Sequence, residues 1–278
     1  MQPTRGSAVC FCALCNIASR SLVSHTLALT ASEPVRTPPP LPTAQAEQAP
    51  VIERHHGLPA VPEPQLRPQA LRERFARWQR DFADGRGDAW LPEHAGDVPP
   101  PERMASRQAS VLVPLLLRDS GLHMLLTRRD ARLSVHAGQI SFPGGGRDSG
   151  DRDAVHTALR EAEEEIGLDP ALVETLGCMP LYTTVTGFAV TPVVSLVDAR
   201  ARWRLQQSEV AEVFEVPLAF LMNPAHHELR AWDVAPAAGG GRRMFYAMPW
   251  TDPDSGRRYF IWGATAAMIR NLYRLLIA

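Results

Sequence analysis

Three consecutive glycines followed by an acidic segment constrain this chain more than any other feature. Residues 142–168 read FPGGGRDSGDRDAVHTALREAEEEIGL. Glycine lets the backbone approach a ligand or a metal closely. In the segment that follows, apolar residues recur at helical spacing, at Ala158, Leu159, Ala162 and Ile166. Gly167 is well placed to end the helix. We therefore predict a glycine-rich loop that leads into a helix over residues 151–167, docked by its apolar side.

Three glutamates of this predicted helix project from one face. Glu161, Glu164 and Glu165 stand at positions i, i+3 and i+4, whereas Glu163 points elsewhere. Like charges at this spacing repel each other unless a cation neutralises them. Magnesium binds carboxylate oxygens and substrate phosphates, so it suits such a face. The alternative is a solvated acidic surface, and the glycine-rich loop in front of the helix favours the metal site.

The rest of the chain divides into three parts. We predict that residues 1–63 form a disordered tail, because they are rich in proline, alanine and small polar residues and cannot bury much apolar surface. Residues 64–108 predict a leader helix over 68–84 and a proline-rich connector that includes residues 99–101. The helix has an apolar face at four-, three- and four-residue spacing, at Leu71, Phe75, Trp78 and Phe82.

The main domain covers residues 109–278 and mixes strands with helices. Its predicted strands are residues 110–117, 122–127, 190–196 and 213–216, and its predicted helices are 151–167 and 263 to the C-terminus. Elements in this order are typical of an α/β or α+β layer domain.

Composition excludes several function classes. The formal net charge of -1 gives no reason to expect a nucleic acid or an anionic membrane as partner. No apolar run approaches the roughly 18 residues of a membrane span. The sequence has no lysine, which rules out a Schiff-base enzyme and the GxxxxGK[ST] phosphate loop.

The cysteines indicate neither a disulfide scaffold nor a zinc site. Cys10, Cys12 and Cys15 crowd the N-terminus without a histidine partner, and Cys178 stands alone. The N-terminal segment is too short and mixed for a convincing signal peptide. We therefore expect a cytoplasmic protein.

Residues 145–168 resemble the Nudix box, whose pattern is Gx5Ex7REUxEExGU with U an aliphatic residue. Gly145 opens the pattern, Asp151 stands in place of its first glutamate, and residues 160–168 read REAEEEIGL. The spacer from Asp151 to Arg160 is one residue longer than in the pattern. The resemblance implies a Nudix-type α/β/α sandwich with a mixed β-sheet. It also implies hydrolysis of a diphosphate bond with Mg²⁺ or Mn²⁺.

A narrower resemblance is to the coenzyme A diphosphatases, whose signature reads LLTxR, [SA], x3, R, x3, G, x3, FPGG. Residues 125–129 read LLTRR, Gly138 follows at the expected place, and residues 142–145 read FPGG. Asp130 and Ser134 depart from the signature, where Ser or Ala and Arg are usual. The similarity extends over residues 186–192, 212–218 and 259–265. It implies that the substrate is coenzyme A or a thioester, cut to 4'-phosphopantetheine and adenosine 3',5'-bisphosphate.

The resemblance also implies roles for individual residues. It makes Glu161 and Glu165 the principal metal ligands, with Glu164 and the carbonyl of Gly145 completing the set. Arg160 is expected to orient a ligand glutamate. The general base is either a box glutamate such as Glu164 or Glu212 on a distant loop. The residues expected to contact substrate are Arg129, Gly138, Phe142 and Gly144.

Two other functions stay open at this point. A Nudix enzyme could act on another diphosphate, such as ADP-ribose or a dinucleotide. Ser134, which stands where the coenzyme A signature has arginine, supports this alternative. The second alternative function is that of a non-catalytic nucleotide sensor with the same fold. Such sensors typically lack box glutamates that are present here. The partner expected in each case is a small molecule. The sequence does not fix the oligomeric state, and a homodimer is compatible with it.

Overall fold

The main β-sheet is mixed and is built around a long hairpin. The computed structural model describes residues 42–83, 93–94, 107–133, 137–234 and 240–278. β2 (Arg107–Arg118) and β3 (Gly121–Arg129) pair through a tight turn at which Gly121 has a φ of 109°. β8 (Phe188–Val197) runs parallel to β2, and β9 (Val210–Pro217) runs antiparallel to β3.

Beyond the hairpin turn, β2 and β3 separate and the glycine-rich loop fills the space between them. The loop forms β4 (Ile140–Ser141), which pairs with β3, and β5 (Gly144–Gly146), which pairs with β2. Outside β8 lie β6 (Val173–Cys178) and β7 (Tyr182–Thr183). The sheet thus holds the three glycines against the first half of β2.

One face of this sheet is covered by the acidic helix. We number the helices α1 (Thr43–Gln48), α2 (Pro68–Ala83), α3 (Ala154–Ile166), α4 (Leu218–Leu221) and α5 (Gly263–Ile277). The N-cap of α3 is Asp153, whose side chain accepts a hydrogen bond from the backbone N–H of His156 at 2.8 Å. The helix ends at Gly167, whose φ of 68° lies in the left-handed region that favours glycine. Its apolar side packs on Leu112, Leu125 and Val193.

The opposite face is covered by a second sheet and two helices. This antiparallel sheet has the order β1 (Val51–Arg54), β10 (Glu228–Asp233), β11 (Arg242–Thr251) and β12 (Arg258–Trp262). Its inner side chains and those of α2 and α5 bury the larger of the two main apolar clusters. A mixed sheet between helical layers confirms the predicted α/β class, and the second sheet adds to it.

The predicted elements correspond to observed ones. The leader helix is α2, in which Leu71, Phe75 and Trp78 are buried. The predicted strands are parts of β2, β3, β8 and β9, and the predicted last helix is α5. In the described part of the chain, no helix is long and apolar enough to cross a membrane.

Residues 42–63 differ from the loose tail that composition suggests. They contain α1 and β1, and β1 pairs with β10. Ala46 and Ala49 are buried against Phe245 and Phe260, so small residues are what this contact needs. Residues 1–41, the prolines at 99–101, Ser134 and His136 lie outside the described residues.

Candidate active site

Glu165 lies buried at the point where the acidic helix, the glycine-rich loop and the end of β3 meet. Its Oε2 accepts a hydrogen bond from the backbone N–H of Gly144 at 3.1 Å. Nη1 of Arg129, the last residue of β3, lies 3.7 Å from Oε1. Burial raises the pKa of Glu165 to about 7, against the lowering effects of Gly144 and Arg129. The contacts with Gly144 and Arg129 therefore do not offset the cost of burying the charged form of Glu165.

Glu161 lies one turn earlier, against the second glycine of the loop. A Cβ added to Gly145 would lie 2.6 Å from the carboxyl carbon and from Oε2 of Glu161, so only glycine allows this contact. Burial also raises the pKa of Glu161, although Arg160 acts in the opposite direction. Two carboxylates on one helix face are thus held together against glycine backbone.

Asp151 anchors Arg160 beside Glu161. Nε and Nη2 of Arg160 each lie 3.0 Å from a carboxylate oxygen of Asp151. Nη2 also lies 2.9 Å from Oε1 of Glu161, and Nη1 donates to Glu164 at 3.0 Å. Arg160 thus contacts two glutamates of the helix, and its role in orienting a metal-binding glutamate stays a prediction. The side chain of Glu164 is 58% exposed and points outward from the helix.

Comparison with known proteins agrees with this geometry. The family model described as NUDIX domain matches residues 106–238. The "uncharacterized Nudix hydrolase NudL" of Citrobacter koseri is 40% identical over 172 residues, which are 62% of this chain and 83% of that protein. The chain belongs to the Nudix hydrolase family. The protein of the same name from Salmonella newport is equally similar, at 40% identity over 172 residues, 62% of this chain and 83% of its own.

Solved structures are similar to parts of this Nudix hydrolase. The Ap4A hydrolase of C. elegans in a binary complex is 19% identical, covers 41% of this chain and 85% of its own, and has a TM-score of 0.36. A MutT/nudix family protein from Enterococcus faecalis is 15% identical, covers 74% of this chain and 73% of its own, and has a TM-score of 0.37.

The donor set of the Nudix helix fits a hard divalent cation. Glu161 and Glu165 supply carboxylate oxygens, the donors that Mg²⁺ and Mn²⁺ prefer. The raised pKa values of both groups indicate that a bound cation would stabilise their charged forms. No group of three or more His, Cys, Asp or Glu side chains is already assembled for a metal among the described residues.

Two of the four residues predicted to contact substrate lie beside Glu165. Arg129 and Gly144 touch Glu165 directly. Gly138 lies between β3 and β4 and has a φ of 67°. Phe142 is buried in the apolar cluster on the other face of the sheet, so its side chain serves packing.

Glu212 is paired with two arginines. Its Oε2 accepts a hydrogen bond from Nη1 of Arg257 at 2.8 Å, and its Oε1 lies 3.6 Å from Nη2 of Arg128. Glu212 pairs in register with Arg128 on β3. The prediction that it is the general base stays a prediction.

Glu209 is an acidic neighbour that the sequence reasoning missed. Its negative charge contributes to the raised pKa of both Glu161 and Glu165. The loop before β9 reaches the end of the Nudix helix, because the N–H of Gln206 donates to the carbonyl of Glu165 at 2.9 Å. The sequence does show a glutamate three residues before Glu212. However, the position of Glu209 relative to the helix depends on how the loop before β9 folds back.

Proposed function

We propose that this Nudix hydrolase cleaves the diphosphate of coenzyme A or its thioesters, giving 4'-phosphopantetheine and adenosine 3',5'-bisphosphate. One observation carries the proposal. Arg129 belongs to the LLTRR segment and Gly144 to the FPGGG segment, and both contact Glu165 of the Nudix box. The two resemblances of the sequence, to the box and to the coenzyme A signature, thus converge on a single carboxylate.

Each residue then has a defined task in the reaction. Glu161 and Glu165 would hold Mg²⁺ or Mn²⁺, with the carbonyl of Gly145 as a further ligand. Glu164, which is exposed and bound by Arg160, would have to leave that contact to join them. When bound, the metal would supply an activated water and neutralise charge on the phosphate oxygens. Arg129 can grip a phosphate oxygen through paired hydrogen bonds. Arg160 keeps Glu161 in place, and Asp151 keeps Arg160 in place.

Glu209 is our candidate for accepting the proton of the attacking water. Glu164 is bound by Arg160, and Glu212 is bound by Arg257. A general base must come within hydrogen-bond reach of the proton that it removes. Glu209 is the distant-loop glutamate whose charge acts on Glu161 and Glu165, which favours it over Glu212.

Hydrolysis of another diphosphate, such as ADP-ribose, is the second candidate function. Nε and Nη2 of Arg132 bind Asp130 at 2.8 and 3.0 Å, and Nη2 also donates to the carbonyl of Gln207. Arg132 is therefore not free to replace the signature arginine for which Ser134 stands. The contacts of Arg132 therefore weaken the assignment of coenzyme A as substrate, but they do not affect the assignment to the Nudix hydrolases.

A substrate panel tests the proposal. Hydrolysis of coenzyme A, ADP-ribose and NADH would be measured with Mg²⁺ and then Mn²⁺, for wild type, Glu165→Gln and the matched control Glu163→Gln. Glu163 is exposed on the same helix, so its variant should retain activity. We expect selective cleavage of coenzyme A that falls by at least about 100-fold in Glu165→Gln only. Preference for ADP-ribose or NADH would contradict the substrate, and no turnover by a folded protein would indicate a sensor.

A further inference from the structure

We propose that Arg128 and Arg257 form a subsite for a phosphate monoester that the substrate carries in addition to its diphosphate. The inference rests on the proposed function, since it concerns a second anionic group of the same substrate. The two arginines, with Glu212 between them and Tyr259 beside them, are called the arginine subsite below. It is separate from Arg129 and the Nudix box.

The arginine subsite has more positive than negative charge. Two guanidinium groups flank the single carboxylate of Glu212. Arg257 is held closely, at 2.8 Å, but the 3.6 Å from Nη2 of Arg128 to Glu212 is too long for a hydrogen bond. Among the described residues, the guanidinium of Arg128 makes no hydrogen bond. Its donors are available to a ligand.

Both arginines are accessible, and one of them rests on an aromatic ring. The side chains of Arg128 and Arg257 are 30% and 55% exposed. The guanidinium carbon of Arg128 lies 5.3 Å from the centre of the Tyr259 ring, which is itself stacked on Phe214 at 3.8 Å between centroids. A planar group supported in this way loses little freedom when it binds.

The position of the subsite suits a substrate whose diphosphate lies at Glu165. Arg128 and Arg129 are consecutive residues at the end of β3, where the register with β9 shifts, and their side chains reach different partners. Arg129 lies by Glu165, and Arg128 lies by Tyr259 of β12. A substrate lying over the end of β3 can reach both guanidinium groups.

The chemistry of guanidinium selects the ligand class. Arginine binds phosphate through paired, charge-assisted hydrogen bonds, which are about twice as strong as neutral ones. A phosphate monoester carries close to two negative charges at neutral pH. It would match the two guanidinium groups better than the single charge of Glu212. Coenzyme A carries such a group on its adenosine ribose, whereas ADP-ribose and NADH do not.

Arg257 comes from a part of the chain that the family model does not match. The model covers residues 106–238, whereas the turn between β11 and β12 supplies Arg257. The subsite therefore combines one residue of the shared Nudix sheet with one residue of the added sheet. Such a combination is suited to setting substrate preference without changing the hydrolytic site.

Two pairs of substrates that differ by one phosphate test this inference. We would measure kcat/KM for coenzyme A against 3'-dephospho-coenzyme A and for NADPH against NADH. The proteins are wild type, Arg128→Gln, Arg257→Gln and the control Arg118→Gln. Arg118 forms a comparably exposed ion pair with Glu215 at the other end of β3, so its loss should leave the preference unchanged.

We expect wild type to prefer the phosphorylated member by about 10- to 100-fold. Arg128→Gln and Arg257→Gln should lower kcat/KM for that member only and bring the ratio towards one. No preference in wild type, or a preference that survives both variants, would overturn the subsite and leave the arginines as a link between the sheets. If Arg128→Gln does not fold, the ratio of kcat/KM values measured for Arg257→Gln, whose substitution lies in an exposed turn, tests the subsite.

The failure of the proposed substrate is a separate outcome. If NADH is hydrolysed but neither form of coenzyme A is, the coenzyme A proposal fails, and the NADPH to NADH ratio decides the subsite by the same criterion. If nothing is hydrolysed, calorimetric binding of adenosine 3',5'-bisphosphate against AMP to the same four proteins decides it. Equal affinities in wild type would then refute the subsite.

Discussion

The guanidinium of Arg160 binds both carboxylate oxygens of Asp151, each at 3.0 Å. The side chain of Asp151 is only 1% exposed, and it also accepts a hydrogen bond from the backbone N–H of Asp148 at 2.9 Å. The hydrogen bond from Arg160 is the main reason that the pKa of Asp151 lies well below its usual range. The residue that replaces the first box glutamate therefore acts as an anchor for the arginine of the box.

Replacing Asp151 should weaken both the fold and the activity. Asp151→Asn is expected to lower the free energy of unfolding by about 1.5–3 kcal/mol, because a buried charge-assisted contact is lost. The kcat should also fall, since Arg160 no longer holds Glu161 in one position. Urea denaturation and steady-state kinetics measure the two effects. Asp148→Asn is the control, because Asp148 is exposed and lies 3.9 Å from Arg160.

The three glycines of β5 should respond differently to alanine. Gly145→Ala is expected to displace the flexible end of Glu161 and to lower kcat by about 10-fold or more, with little change in unfolding free energy. Gly146→Ala has open space around its new Cβ and should be active. Gly144→Ala should fold poorly, because its Cβ would lie 2.4 Å from the backbone oxygen of Ser110. Equal activity of the first two variants would contradict the role of Gly145.

Glu209→Gln and Glu212→Gln separate the two candidates for the general base. Removal of a general base typically lowers the rate by about 10²- to 10⁴-fold. We expect a loss of this size in kcat for Glu209→Gln, with near-normal kcat for Glu212→Gln. Single-turnover rates at several pH values measure the chemical step. A larger loss in Glu212→Gln would restore the assignment that the sequence suggested.

Buried His227 should make the protein less stable in acid. Burial lowers its pKa to about 3, while Nδ1 faces Nη1 of Arg270 at 3.2 Å and Nε2 contacts the carbonyl of Leu221. In the unfolded chain His227 is protonated below about pH 6.5, whereas in the folded chain it is protonated only below about pH 3. Stability contributed by neutral His227 is therefore full above that window and falls by about 1.4 kcal/mol per pH unit on acidification.

The measurement is urea unfolding of wild type and His227→Gln between pH 7 and pH 4. The variant has no titratable group at position 227, so its stability should depend less steeply on pH. Parallel curves for the two proteins would show that His227 does not contribute to the acid response.

The sequence predicted α3 well because its apolar residues have a clear helical period, and β2 because residues 111–117 form a continuous apolar run that ends at a turn. It did not predict β11, in which side chains on both faces are buried and none is Val, Ile or Leu. Tyr246 and Met248 pack in the main core, while Phe245 and Ala247 pack against α1. Such a strand has no alternation of apolar and polar residues to detect.

Part of the site was likewise visible in the sequence and part was not. Glu161 and Glu165 share a helix face by spacing alone, so their proximity could be predicted. The approach of Glu209 could not, because it depends on where a loop from another part of the chain folds. The contact between Glu212 and Arg257 also required the second sheet.

The pairing of β2 with β8 and of β3 with β9 affects how the molecule is made. The Nudix box is complete once residue 168 has been synthesised, but the strands that flank its sheet end only at residues 197 and 217. Contacts between distant segments form slowly, and unpaired strand edges are prone to aggregate. A nascent chain that already contains all box glutamates thus still lacks the strands that complete its sheet, and its strand edges stay unpaired until about fifty more residues have been made.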